Sequence, residues 1–183
     1  TPSGDGILTR TPPNNESSDS FRYDPRDPVM SLCALDMQDA PCDQRPLDHR
    51  QDVLVYMTEP LQEGIEVTGN VVVKLWAAST VPDTDFTAKL IDVHPDGFAV
   101  GLCYGIVRAQ YRDSYTQPSL ITPGQVYEYT IKLRATGNLF KPGHRIRVDI
   151  SSSNFPFFDR NHNTGHPFYA DAELAVAEQT IYH

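Results

Sequence analysis

Apolar residues recur at every second position along several short runs from residue 52 onward, and this period constrains the fold more than any other feature of the chain. Side chains alternate between the two faces of a β-strand, so the pattern predicts strands with one apolar and one polar face. Turn signals separate the runs at 68–70, 94–97, 123–124 and 141–143. We therefore predict seven or eight short strands in an all-β, jelly-roll β-sandwich.

The strand patterns also predict which side chains face the core. In DFTAKLIDV, Phe86 and Leu90 lie on the core face, whereas Thr87, Lys89, Ile91 and Val93 lie on the opposite, polar face. Trp76 is the single tryptophan and lies in a strongly apolar strand, so we expect it to pack in the core or on a sheet rather than to bind sugar.

Residues 1–50 differ from the rest of the chain. TPPNNESSDSFRYDPRDP holds four prolines among polar turn formers, and such a run sustains neither a helix nor a central strand. We expect an extended, irregular arm over 1–50 and a sandwich over 51–183.

The net charge of −9 disfavours nucleic acid and anionic membranes as partners, since both repel an acidic protein. No apolar run is long enough to span a bilayer. The compartment stays open between cytoplasmic and secreted for a soluble chain. Cys33 and Cys42 form a disulfide in an oxidising compartment or remain two free thiols.

The segment GLCYG has the spacing of the nucleophile elbow G-x-S-x-G, with Cys103 in the serine position. That motif requires a helix directly after the turn, but IVRAQYR follows here and alternates as a strand does. We therefore interpret Cys103 as a small apolar side chain on a strand and predict no catalytic residue.

Two segments contain possible metal ligands. DVHPDG, residues 92–97, places Asp92, His94 and Asp96 two apart, but it lacks the ligand set of a calcium loop and is interpreted as a hairpin turn. His162 and His166 have a spacing that brings two ligands together only on a helix, which their surroundings disfavour. Turn chemistry and strand entry account for Asp83 and Asp85. We expect no metal and no cofactor.

Five segments are distinctive when taken together: FRYDPRDPV (21–29), DQRPLDHRQDVLVYMTEPL (43–61), PDTDFTAKLIDVHPDG (82–97), GIVRAQYR (105–112) and LFKPGHRIRVDISSSNFPFFDRNHNTG (139–165). They resemble the C-terminal region of the serine-hydrolase family that includes X-Pro dipeptidyl-peptidase and cocaine esterase. The resemblance implies a galactose-binding-like jelly roll that packs on an α/β-hydrolase domain carrying a Ser-Asp-His triad. This chain contains no G-x-S-x-G, so the triad is not transferred to any position in it.

The resemblance also implies a partner and a substrate. The partner is the parent protein's own α/β-hydrolase domain, and the substrate is an ester, an amide or a peptide. Residues just past DPRDPV reach the substrate pocket in relatives, and here these are Leu35 and Met37.

The aromatic loop after residue 151 is too apolar for a freely solvated loop. The prediction is that this loop, through Phe155, Phe157, Phe158 and Arg160, or else the 1–50 arm, contacts the catalytic domain. The alternative is a carbohydrate-binding module, in which Trp76, Tyr104, Tyr111 and Tyr115 stack on sugars.

Overall fold

The computed structural model describes residues 6–13, 16–32, 42–167, 170 and 172–183. Eight β-strands account for most of the regular structure, and two short 3₁₀ helices cover Arg45–Leu47 and Ala109–Tyr111. The strands are β1 Asp19–Tyr23, β2 Leu54–Met57, β3 Ile65–Ser79, β4 Asp85–Val93, β5 Ala99–Arg108, β6 Tyr127–Phe140, β7 Arg145–Ser151 and β8 Ala177–Tyr182. No helix of the described residues is long and apolar enough to cross a membrane.

The strands form two four-stranded antiparallel sheets. The first sheet has the order β1-β8-β3-β6, and the second sheet has the order β2-β7-β4-β5. This arrangement confirms the predicted all-β sandwich, whereas the jelly-roll and galactose-binding-like subtype stays a prediction. Strand β1 lies within residues 1–50 and occupies an edge of the first sheet. The division of the chain at residue 50 also stays a prediction.

The main core lies between the two sheets. It consists of the inward-facing side chains of both, including the fully buried Tyr23, Phe86, Tyr129, Ile131 and Phe140. The rings of Phe86 on β4 and Tyr129 on β6 lie 4.8 Å apart between centroids and join the two layers. The period-two pattern arises because each strand buries one apolar face between the sheets, and this burial stabilises the sandwich.

The second sheet is covered on its outer face as well. Val29, Leu47 and Val53 form a separate buried cluster there, contributed by the segment that precedes β2. Strand β4 is consequently buried along almost its whole length on both faces. The prediction that Thr87, Lys89 and Ile91 face water is wrong, since all three are buried beneath this segment.

The buried Lys89 ammonium has one side-chain hydrogen-bond partner, Gln44 Oε1, at 3.3 Å. Burial lowers the pKa of Lys89 to about 8, because the charged form loses its hydration, although the nearby Asp149 carboxylate acts in the opposite direction. Lysine is a polar residue in any sequence pattern, and so the covering of this face was missed.

Two of the predicted turns differ in outcome. Residues 94–97 form the β4–β5 hairpin turn as predicted, with His94 N–H donating to the Phe98 carbonyl at 2.9 Å. Residues 68–70 are not a turn, because β3 continues through them and pairs with β6. Gly69 has a φ of 111°, and the register shifts between Asn70 and Val72. The Thr-Gly-Asn signal therefore marks an irregularity inside one long strand.

Candidate functional site

Cys103 lies in the middle of strand β5 and is paired with Leu90 of β4. Its side chain is only 4% exposed and belongs to the main core. Burial raises the pKa of the thiol to about 11, so the sulfur is protonated at neutral pH. β5 continues to Arg108, and the short 3₁₀ helix that follows begins only at Ala109, so no helix begins directly after Gly105. An activated nucleophile would have a lowered pKa and a helix directly after it. The observed pKa and backbone are the opposite, which confirms the interpretation of GLCYG as part of a strand.

The second glycine of GLCYG has a packing role. A Cβ atom at Gly105 would lie 2.9 Å from the carbonyl carbon of Lys132 and 3.2 Å from the Cα of Leu133. β5 is an edge of the second sheet and β6 an edge of the first, so at Gly105 the backbones of two facing edge strands are in close contact. Gly101 is different, because a Cβ there would meet only the side chain of Gln44.

The loop that follows β7 is hydrogen-bonded to the segment around Val29, which precedes β2. Val29 N–H donates to Ser153 Oγ at 2.8 Å, and Phe155 N–H donates to the Val29 carbonyl at 2.9 Å. Ser31 N–H donates to the Phe155 carbonyl at 2.7 Å, and Arg160 donates to the Pro25 carbonyl at 3.0 Å. These bonds hold the backbone of the aromatic loop in one position.

The side chains of this loop form a half-exposed patch. Phe157 contacts Tyr104 of β5 edge-on at 4.8 Å between ring centroids, and Phe158 contacts Phe157 at 4.9 Å. The guanidinium of Arg134 on β6 lies 5.0 Å from the Phe157 centroid. We call Tyr104, Arg134, Phe157 and Phe158 the aromatic patch. Its rings are neither buried in the core nor fully solvated.

The other two predicted residues of the loop lie beside this patch. Phe155 is half-buried, and the guanidinium of Arg160 lies 6.0 Å from its ring centroid. All four loop residues predicted for an interface thus have accessible side-chain surface in this chain. Their role in contacting another domain stays a prediction.

A buried polar network supports the loop from beneath. Arg108 donates to both oxygens of Asp85 at 2.8 and 3.0 Å and to Asp159 at 3.2 Å. Asn161 donates to Asp83 at 2.8 Å and to Asp85 at 2.9 Å. Turn chemistry and strand entry were the predicted roles of the two aspartates, and the structure adds that both are buried hydrogen-bond acceptors.

Burial raises the pKa of Asp85 to about 6, and the bidentate Arg108 limits this rise. The carboxylate is therefore ionised at neutral pH and the ion pair is intact. A fully satisfied pair of this kind fixes the position of strand ends and loops, although it contributes little net stability. Asp83 and Asp85 thus have a structural rather than a catalytic environment.

A second exposed apolar surface lies on the outer face of the first sheet. Trp76 is 46% exposed there, so of the two predicted placements the core is excluded and packing on the sheet stays a prediction. On β3 the inward positions are the odd ones from Val71 to Ala77, so residue 76 points outward. Residues 7–13 and Tyr182 line the same groove, with a cavity volume of about 500 Å³. We call it the Trp76 groove.

The remaining sequence-derived candidates have mixed outcomes. Leu35 and Met37, like Cys33, lie outside the described residues. Cys42 is disulfide-bonded, and Cys103 is a free thiol. His162 and His166 do not belong to a group of three potential metal ligands within the described part of the chain, whereas Asp92, His94 and His144 do. The sequence offered no signal for this second group, since His144 is distant from the other two.

Tyr111 and Tyr115 form a stacked pair with centroids 6.4 Å apart, and Tyr115 is 86% exposed. Tyr104 belongs to the aromatic patch, and Trp76 lies on the other side of the sandwich. The three tyrosines and one tryptophan considered for sugar stacking therefore do not form one surface. The carbohydrate-binding alternative is not favoured by this placement.

These features define a β-sandwich domain with ordered contact surfaces on its two sheets and loops. The chain belongs to the X-Pro dipeptidyl-peptidase C-terminal non-catalytic domain family, which it matches over residues 2–183. This match confirms the resemblance stated from the sequence.

Relatives with known names agree with the family. Cocaine esterase of Rhodococcus sp. (strain MB1 Bresler) is 51% identical over 169 residues, which are 90% of this chain and 29% of that protein. A putative serine esterase of Mycobacterium bovis is 33% identical over 123 residues, 58% of this chain and 20% of that protein.

Solved structures give the same result. An α-amino acid ester hydrolase superposes with a TM-score of 0.90 at 32% identity, over 97% of this chain and 33% of that one. An aminopeptidase from a marine sediment Thaumarchaeota archaeon has a TM-score of 0.88 at 33% identity, with the same coverage. The chain spans a third or less of the length of each of these proteins, and it corresponds to their non-catalytic C-terminal domain.

Proposed function

We propose that this β-sandwich packs on the α/β-hydrolase domain of a parent serine hydrolase through the aromatic patch and the adjoining Phe155 and Arg160. The parent enzyme hydrolyses an ester, an amide or a peptide bond through an acyl-enzyme intermediate. The sandwich holds the catalytic domain rigidly and contributes interface area. The family match, over a chain that covers a third or less of its relatives, is the observation that carries this proposal.

The aromatic patch has the properties of a docking surface. Aromatic and arginine side chains are enriched at protein interfaces, where they supply large contact areas at low cost in side-chain entropy. The backbone bonds between Phe155 and the Val29–Ser31 segment hold the loop in place before any partner arrives. A preorganised surface loses less entropy on association and binds more tightly.

The experiment separates the parent protein into its catalytic portion and this chain, and measures their association by titration calorimetry. We expect a complex of defined stoichiometry with the unmodified chain. Phe157→Ala and Phe158→Ala should each weaken it by roughly tenfold or more, since a truncated anchor residue costs about 2 kcal/mol. Tyr115→Ala is the matched control, because Tyr115 is a highly exposed aromatic residue outside the patch.

Trp76→Ala tests the competing surface in the same assay. Loss of binding in this variant, with normal binding by the two phenylalanine variants, would move the interface to the Trp76 groove and refute the proposed docking surface. Near-UV circular dichroism of each variant checks that the sandwich is folded.

We further propose that Leu35 and Met37 line one wall of the parent's substrate pocket. In the intact parent enzyme, Leu35→Ala and Met37→Ala should raise KM for an aryl ester with little change in kcat, because a pocket wall contributes binding that is equal in the ground and transition states. Unchanged KM in both variants would remove this role. The chain alone should hydrolyse the same ester at the background rate.

A further inference from the structure

Three potential metal ligands converge at one end of the sandwich. Asp92 is on β4, His94 follows in the β4–β5 turn, and His144 directly precedes β7. One ligand atom from each residue lies within 4.8 Å of the others. Val93 and Arg145 are the last paired residues of β4 and β7, so His94 and His144 are the next residues on the two strands. Sheet register therefore sets their separation.

The carboxylate of Asp92 is already oriented. Its Oδ1 lies 2.8 Å from Nδ1 of His144, and its Oδ2 accepts a hydrogen bond from Asn138 Nδ2 at 3.1 Å. Asn138 belongs to β6 of the facing sheet. The outer hydrogen bond from Asn138 is the arrangement of a metal-ligand carboxylate, and the ion would replace the proton that Oδ1 now shares with His144 Nδ1.

The His94 ring packs edge-on against Phe98 at 5.6 Å between ring centroids, and its nitrogens take no part in that contact. An Asp–His hydrogen bond accounts for Asp92 and His144 without His94. The His94 ring lies 4.5 Å from the His144 ring between centroids, and its nitrogens have no hydrogen-bond partner among the residues that the structure describes. A half-buried imidazole with an available lone pair beside an Asp–His pair supplies the third ligand.

We propose that Asp92, His94 and His144 bind one divalent transition-metal ion, with zinc as the representative ion. Two imidazoles and one carboxylate suit zinc and its neighbours, whereas magnesium and calcium prefer oxygen ligands alone. From the sequence we expect no metal in this chain, so this site goes beyond that expectation.

The geometry requires a small adjustment. Bond lengths of about 2.0–2.2 Å in a tetrahedral zinc site place ligand atoms roughly 3.3 Å apart. The longest distance between two of the three ligand atoms must therefore shorten by about 1.5 Å. His94 is in a half-buried turn, where such a movement is possible. A bound ion would join the β4–β5 turn to the β6–β7 turn, which includes the hydrogen bond from His144 N–H to the Lys141 carbonyl.

The test titrates the chelator-treated chain with zinc chloride in a calorimeter. We expect one zinc ion per chain, and a Tm rise of about 5–10 °C at a free zinc concentration 100-fold above Kd. His94→Ala should weaken binding about tenfold or more. His49→Ala is the control, because His49 is an exposed histidine far along the chain from the three ligands, and it should bind zinc as the unmodified chain does.

Two outcomes would overturn the site. The first is the absence of saturable zinc binding by the unmodified chain. The second is equal binding by His94→Ala and the unmodified chain, which would locate the ion elsewhere. His94→Ala removes no hydrogen bond and is expected to fold. Asp92→Asn keeps the shape of the side chain while removing its charge, and it should weaken zinc binding in the same way.

Discussion

The close approach of the two sheets at Gly105 leads to a quantitative prediction for Gly105→Ala. The φ angle at this position is in the ordinary range, so the added methyl group causes no backbone strain of its own. The cost arises from space. The new Cβ would meet the main chain of Lys132 and Leu133 closer than real Cβ atoms are found, and main-chain atoms cannot move aside by rotating a side chain.

The Lys132 carbonyl oxygen is the nearest of these atoms, so the edges of the two sheets must separate by about 1 Å to restore an ordinary contact of 3.4 Å. Displacements of this kind disturb core packing on both sides of the contact. Overpacking a core costs about 1–3 kcal/mol, and a clash with the backbone belongs at the upper end. We expect a loss of about 3 kcal/mol in unfolding free energy, which lowers Tm by about 6–12 °C in a chain of this length.

Gly137→Ala is the matched control for this substitution. Gly137 is also in a strand, on β6, but no atom lies within 4 Å of its added Cβ. Its unfolding free energy should stay within about 0.5 kcal/mol of the unmodified chain. Urea unfolding followed by near-UV circular dichroism measures both variants. A Gly105→Ala variant as stable as Gly137→Ala would refute the argument that this glycine is required by sheet packing.

Three further predictions concern buried groups. Because the pKa of Lys89 is lowered in the folded chain, the unfolded chain binds more protons than the folded chain between pH 8 and 10.5. The free energy of unfolding should therefore rise with pH in that window, by up to about 3 kcal/mol. This rise should be absent from the pH dependence of unfolding of Lys89→Met. Arg108→Ala leaves the buried Asp85 unpaired and should cost about 3–5 kcal/mol in urea unfolding, against at most about 1 kcal/mol for the exposed Arg26→Ala. The Cys103 thiol should react with an alkylating reagent at least about 100-fold faster in urea than in the folded chain, since a buried, protonated thiol is unreactive. The Cys103→Ala variant lacks this thiol and so identifies its reaction.

Each of these has a contradicting result. Parallel pH profiles for Lys89→Met and the unmodified chain would mean that Lys89 titrates normally. Equal stability of the Arg108 and Arg26 variants would mean that Asp85 finds water or another partner. Rapid alkylation of Cys103 in the folded chain would mean that β5 opens readily at the sheet edge.

The strands were predictable from the sequence because burial of one face per strand leaves a direct period in the residues. Strand β6, from Tyr127 to Leu133, shows this most clearly, since its buried and exposed residues alternate as its apolar and polar residues do. The hairpin turn at 94–97 was predictable for the same local reason, because a Pro-Asp-Gly run favours a turn wherever it occurs.

Features that depend on contacts distant in sequence were not predictable. Lys89 is polar in any pattern, and its burial depends on a covering segment that ends some 35 residues earlier. Trp76 points outward because even-numbered residues of this part of β3 face outward. The run around it is apolar at odd and even positions alike, so the sequence does not show which face is inward. Asp92 and His94 meet His144 only through the register of β4 against β7.

The pairing of β1 with β8 has a mechanical consequence. A polypeptide that enters the sandwich through β1 is fastened there by the last strand of the fold, not by its sequence neighbours. Force applied to an N-terminal linker would load the hydrogen bonds of residues 6 and 8 to Met57 first, and then those of β1 to residues 177–181. Removal of β8 would release β1 and leave β3 as an unpaired edge strand. In a multidomain enzyme, the rigidity of the joint between domains would depend on residues more than 150 positions away from it.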